Sequence, residues 1–254
     1  MPVVFFGHGN PMNALGNNSY TAAWQAIGRA LPKPRAILAI SAHWFIRGTK
    51  VTAMASPRTI HDFGGFPKAL FEFTYPAKGA PPLAERVRDL LAPIEVELDQ
   101  RWGLDHGTWS VLAHVFPDAD IPVVQLSIDE TQPAAFHYAL AKKLAPLRDE
   151  GVFIMGSGNV VHNLESALWT PGPTPYDWAE RFDATIRRHI MERNHTPLVE
   201  YERLGADAAL AAPTPEHYLP LLYTIALQED GAAVAFPVGG IDMGAISMLS
   251  VVIS

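Results

Sequence analysis

Val152-Phe153-Ile154-Met155-Gly156-Ser157-Gly158-Asn159-Val160-Val161-His162 passes from an apolar run into a glycine-dense turn and ends on a histidine. Two other stretches share this form: Val3-Val4-Phe5-Phe6-Gly7-His8-Gly9-Asn10-Pro11 and Ile37-Leu38-Ala39-Ile40-Ser41-Ala42-His43-Trp44. The apolar runs are continuous rather than alternating, as in strands buried on both faces of a sheet. In an open α/β sheet, ligands collect in the crevice at the carboxyl ends of the strands. His8, His43 and His162 lie far apart in sequence, yet this arrangement brings them to one edge of the fold. Converging imidazoles are the usual way to hold a borderline divalent ion. The pattern predicts a mononuclear metal site.

Working outward, strand and helix signals alternate. Helical spacing covers residues 20–31, 81–91, 109–115, 133–148, 176–193 and 213–228, with Pro220 kinking or splitting the last. Strands are expected at 36–41, 51–55, 94–98, 121–128, 152–155, 232–238 and 247–253. Residues 58–80 form a long aromatic, Gly/Pro-rich loop, and long ordered loops tend to be functional. Residues 170–175 read as a rigid Pro/Gly linker rather than a boundary, because the alternation resumes beyond it. The expected fold is α/β: a single domain over residues 1–254, with a central mostly parallel or mixed sheet flanked by helices.

Composition narrows the function. The 254 residues include no cysteine, which excludes disulfides, thiolate metal sites and a cysteine nucleophile. A formal net charge of -7 argues against nucleic acid or an anionic membrane surface as partner. The start lacks a basic region and a cleavable apolar segment, and no run approaches the ~18 apolar residues of a membrane span. A cytoplasmic protein is expected. Nothing in the chain points to an oligomeric state.

The remaining histidines divide by context. His106, beside Asp105 in a polar and aromatic turn, is open to a functional or a structural role. His61 could line a pocket mouth or serve a loop hydrogen bond. His114 reads as a partly buried helix residue, and His137, His189 and His195 as solvated helix positions. His217 could complete a three-imidazole set with His8 and His43. Glu216 is its rival, because two histidines and one carboxylate commonly hold non-haem Fe(II). Adjacent helical residues point about 100° apart, so both are not expected on one ion. Gly156-Ser157-Gly158-Asn159 lacks the lysine of a phosphate-binding loop, and no dinucleotide fingerprint is present.

These pieces, in order along almost the whole chain, resemble the 4,5-DOPA extradiol dioxygenase family, within the class III extradiol dioxygenases related to protocatechuate 4,5-dioxygenase. The match rests on Gly7-His8-Gly9-Asn10-Pro11-Met12, Ser41-Ala42-His43-Trp44, His61-Asp62-Phe63-Gly64-Gly65-Phe66-Pro67 and Leu104-Asp105-His106-Gly107-Thr108-Trp109. It continues through Gly156-Ser157-Gly158-Asn159-Val160-Val161-His162-Asn163 and Glu216-His217-Tyr218-Leu219-Pro220-Leu221. The resemblance implies that His8, His43 and His217 bind the metal. His162 stands beside it as acid/base, or as a fourth ligand when zinc is bound, and His106 lies near the substrate. It also implies Fe(2+) for activity, with Zn(2+) a frequent occupant. His217 departs from the glutamate that other class III members place there.

The expected reaction takes a catechol such as DOPA and O2 as small-molecule partners and gives a muconate semialdehyde. A neutral histidine suits the proton transfer, and Trp44, His61, Phe63 and Trp109 are expected to wall the substrate. Two other readings use the same residues: a zinc hydrolase, and a non-catalytic protein that binds a metal or an aromatic ligand.

Overall fold

Strand β2, Ala36–Ile46, is buried through its first seven residues and lies at the heart of the sheet in a computed structural model that describes residues 1–169 and 174–254. Around it lie β1 (Val3–Gly7), β3 (Thr49–Thr52), β4 (Val96–Asp99), β5 (Val123–Asp129) and β6 (Val152–Gly158). The chain then adds β7 (Val234–Val238), β8 (Ile241–Asp242), β9 (Ile246–Ser247) and β10 (Ser250–Ile253). The eight-stranded sheet has the order β4-β3-β5-β2-β6-β1-β10-β7, and β8 pairs with β9 as a separate ribbon. The central pairings β5–β2, β2–β6 and β6–β1 are parallel, whereas β1–β10, β10–β7 and β3–β5 are antiparallel. The sheet is therefore mixed.

The period-two alternation of a strand divides its side chains between two cores. Val3 and Phe5, Leu38 and Ile40, and Val152 and Ile154 enter one apolar cluster. Val4 and Phe6, Ile37 and Ala39, and Phe153 and Met155 enter the other. Helices Pro81–Leu91, Ala134–Lys142, Asp177–Met191 and Leu219–Ile225 cover the first face. Helices Ser19–Ala30 and His106–Val115 cover the second, joined by Leu70 and Tyr75 of the aromatic loop. That double cover is why the central strands read as unbroken apolar runs.

Several expected boundaries move. β2 continues past Ser41, so His43 lies within the strand rather than after it; its pairing with β6 nevertheless ends at Ser41, and its register with β5 breaks between Ile40 and Phe45. The helix expected over 133–148 divides into Ala134–Lys142 and Pro146–Asp149, because Pro146 has no N–H to continue the ladder. The one expected over 213–228 shrinks to Leu219–Ile225, with Pro220 in the first turn, where a missing N–H costs little. Glu216 and His217 occupy the preceding turn, so the helical argument separating them does not apply. His162, four residues beyond the end of β6, is held by a bridge to Ile246. His137 and His189 are buried rather than solvated. Of the linker expected at 170–175, residues 170–173 lie outside the described residues. Among the described residues, no helix is long and apolar enough to cross a membrane.

Candidate metal centre

Glycine spacing in β6 builds the floor of a cleft. A Cβ at Gly158 would collide with the backbone carbonyl of His217, and one at Gly156 with that of Pro220. The two glycines let the 217–220 turn press onto the strand end, where Asn159 N–H donates to His217 O at 2.8 Å. His8 follows β1, and its N–H donates to Gly158 O at 3.1 Å. Asp105 caps helix His106–Val115 through Thr108 N–H, which fixes His106 at the first helical position. Five imidazoles thus line one cavity of about 200 Å³: His8, His43, His106, His162 and His217.

His8, His43 and His217 each offer a nitrogen within 4.8 Å of the other two. The hydrogen-bond network assigns which nitrogen is free. Ser157 Oγ donates its only hydrogen to Gly107 O at 2.5 Å, so it must accept from His8 Nδ1 at 2.9 Å. His217 Nδ1 donates to Glu216 Oε1 at 3.2 Å. His43 Nδ1 lies 3.3 Å from Asp62 Oδ2, and that negative charge favours its protonation. Each ring therefore leaves Nε2 as its lone-pair atom.

His8 Nε2 and His43 Nε2 face each other at 3.3 Å, two lone pairs that repel unless a cation sits between them. Two nitrogens at ~2.05 Å from a tetrahedral ion would be about 3.3 Å apart. The donor set thus fits a divalent metal, and Ser157, Asp62 and Glu216 are the outer partners that orient such ligands.

Burial is the first cause of every resolved histidine shift in the site. His8 and His217 are held well below the ordinary imidazole range by burial and then by their imidazole neighbours. His43 is lowered to about 3 by burial and His106, against the opposing pull of Asp62. His162 is lowered to about 4 by burial, with Glu216 pulling the other way. These four rings are neutral at pH 7, the form a metal requires. Burial raises the Asp62 pKa, but His106 and His43 more than offset it, so the carboxyl ends below its usual range.

His162 is not in the three-imidazole set. Its ring stacks on His217 at 3.5 Å with an interplanar angle of 6°, and its potential ligand atoms group with Glu216 and His217. His106 Nδ1 lies 3.0 Å from Asp62 Oδ1, and its ring is 3.8 Å from that of His43.

The expected aromatic wall divides. Phe63 lines the cavity. Trp44 turns to the opposite face of β2 and stacks on Trp102 at 5.5 Å. His61 uses Nε2 on Phe73 O, and Trp109 donates Nε1–H to Ile60 O; neither lines the cavity. Sequence reasoning passed over Asp62 and Ser157, although each stood inside a quoted motif. It also passed over Leu164, Trp169, Met243 and Ile246, which reach the cavity from later segments.

Residues 8–236 match the family described as the catalytic LigB subunit of aromatic ring-opening dioxygenase. The chain belongs to this family. It is 53% identical to the 4,5-DOPA dioxygenase extradiol of Escherichia coli K12, over 99% of this chain and 94% of that one. It is 40% identical to the protein of that name from Beta vulgaris, over 85% and 83% of the two chains. The crystal structure of an uncharacterised Escherichia coli K12 protein superposes over the full length of both chains with a TM-score of 0.88 and 48% identity. The LigB assignment makes the protein an aromatic ring-opening dioxygenase of a non-haem, metal-dependent type.

Proposed function

We propose that residues 1–254 form one catalytic domain, located in the cytoplasm, that cleaves a catechol such as DOPA beside its two hydroxyls to give a muconate semialdehyde. His8, His43 and His217 hold Fe(2+) in the active protein, and Zn(2+) occupies the same imidazoles readily. The observation that carries this reading is the convergence of three tethered imidazoles whose free lone pairs face one cavity. The names of the relatives support the catechol class.

When bound, the metal acidifies the catechol hydroxyls and activates dioxygen. His162, unprotonated at neutral pH, accepts a hydroxyl proton. The Glu216 carboxylate stabilises the resulting imidazolium, and His162 later returns the proton. His106, at the first position of its helix and oriented by Asp62, lies against the substrate. Phe63, edge-on to His106 at 5.5 Å, helps exclude water.

Anaerobic loading with Fe(II), then oxygen-electrode measurements on a catechol panel, tests the reading. Oxygen uptake with a yellow semialdehyde product is expected. Bound iron without uptake on any catechol would sink it.

A further inference from the structure

β1 ends at Gly7, so the carbonyl of His8 has no place in the sheet ladder. Gly9, at φ +59°, turns the chain immediately afterwards. The His8 carbonyl is met instead by the side-chain amide of Asn13, whose Nδ2 donates to it at 3.1 Å. Asn13 is buried and lies in the 3-10 turn Pro11–Leu15. Its neighbours fix which way the amide points. Thr21 N–H donates to Asn18 Oδ1 at 3.0 Å, as Asn18 caps helix Ser19–Ala30. Asn18 Nδ2 is thereby left to donate to Asn13 Oδ1 at 2.9 Å, which turns Asn13 Nδ2 toward His8. The backbone carbonyl of Asn13 accepts from His114 Nε2–H at 2.8 Å. His114 belongs to helix His106–Val115, whose first residue enters the cavity.

We propose that Asn13 is a positioning residue for the metal centre. Its amide fixes the backbone of His8, Asn18 orients that amide, and His114 ties both to the helix that carries His106. The inference rests on the reading of His8 as a ligand. Gly158 O holds the His8 N–H and Ser157 holds the ring, so Asn13 supplies the remaining anchor, on the carbonyl side. Without it the peptide after His8 can rotate, and the ring shifts relative to His43 Nε2, 3.3 Å away. Metal–ligand distances tolerate only ~0.2 Å of change, so a small shift weakens the bond. An amide suits the position because it carries a donor and an acceptor on one carbon, serving His8 and Asn18 together. An apolar residue there leaves a buried carbonyl without its donor.

Cobalt(II) is the probe, because its visible absorption reports ligand geometry and chelator competition reads its affinity. Asn13→Ala should bind cobalt about 10-fold more weakly, the lower end of what an outer partner costs, and with a shifted spectrum. Asn18→Asp tests the same chain of contacts from outside. Aspartate caps a helix as well as asparagine, so the fold keeps its stability, but the exposed carboxylate has no hydrogen to offer Asn13. The added negative charge alone would favour a cation. A fall of roughly 3-fold, less than a direct partner costs, therefore has the opposite sign and reports the lost orientation. Wild-type affinity and spectrum in either variant overturns the proposal, as does weaker binding with an unchanged spectrum. If Asn13→Ala fails to fold, Asn18→Asp decides alone. His8→Ala separates this from the ligand reading: cobalt retained there removes that reading and the proposal with it. Cobalt lost from His8→Ala but held normally by Asn13→Ala overturns the proposal alone.

Discussion

His8 and His137 are both buried, 2% and 0% exposed, and burial is the first cause of a lowered pKa in each. His137 lies on helix Ala134–Lys142 with its Nδ1 against the Tyr223 hydroxyl at 2.9 Å. His8 has His43, His106 and His217 with ring centroids 5.1, 5.7 and 5.4 Å away. A buried neutral histidine is thus not in itself a sign of chemistry. The sign is several imidazoles with one nitrogen tethered and the other turned toward a shared point. His8 and His137 differ by company rather than by burial.

Substitutions of the proposed ligands should break the comparison most sharply. His8→Ala, His43→Ala and His217→Ala should each weaken metal binding by more than ~100-fold, beyond what loss of an outer partner costs, and activity should go with the metal. His137→Asn should leave the bound metal unchanged. Elemental analysis after gel filtration reads both. Glu216→Ala should retain metal, though with reduced affinity, since it removes the tether of His217 and not a ligand. A Glu216 variant that empties while the His217 variant stays loaded would return the site to the carboxylate type.

Next in size is His162→Ala. It should keep the metal and lose ~10²–10⁴-fold in kcat, the usual contribution of a positioned acid/base group. Steady-state rates on iron-loaded protein, normalised to measured iron, are the check. An emptied site would instead make His162 primarily a ligand.

Smaller effects belong to the tethers. Ser157→Ala removes the acceptor that fixes the His8 tautomer, and Asp62→Asn removes the charge facing His43 and His106. Each should lower metal affinity ~10–100-fold, measured by competition with a chromogenic chelator. Unchanged affinity in both variants would mean that packing alone orients the rings.

The sequence carried the central strands clearly, because burial on two faces leaves unbroken apolar runs in β1, β2 and β6. It also carried the clustering of His8, His43 and His162, since β1, β2 and β6 are parallel neighbours whose carboxyl-end halves bring all three to one edge, His43 from within its strand. The pocket wall was less legible for a geometric reason. Trp44 follows His43 in a strand, and period two sends neighbours to opposite faces, so both could not enter the cleft. Leu164, Met243 and Ile246 come from segments whose approach depends on irregular chain paths rather than on any local periodicity. The register of the 217–220 turn against β6 was hidden in Gly156 and Gly158. Their role is the room they leave for a backbone from far along the chain.

The smallest effect concerns His137 and carries a definite sign. Its pKa in the fold, lowered to about 4, lies below the 6.5 of an exposed imidazole. As pH falls, the unfolded chain therefore takes up this proton first. The stability associated with the neutral ring is fully present above pH 6.5 and is lost progressively as pH falls toward 4. At 1.36 kcal/mol per pKa unit, the whole span is worth about 3 kcal/mol. His137→Asn removes the titrating ring at the cost of a small void, so the variant should be the less stable protein at pH 7. The gap should narrow by up to about 3 kcal/mol on acidification to pH 4. Urea denaturation of both metal-free proteins across that range reads the difference directly, because the histidines lining the cavity titrate in both and cancel. A gap independent of pH would mean that His137 is charged or solvated in the fold. The comparison with His8 would then reduce to one of burial alone.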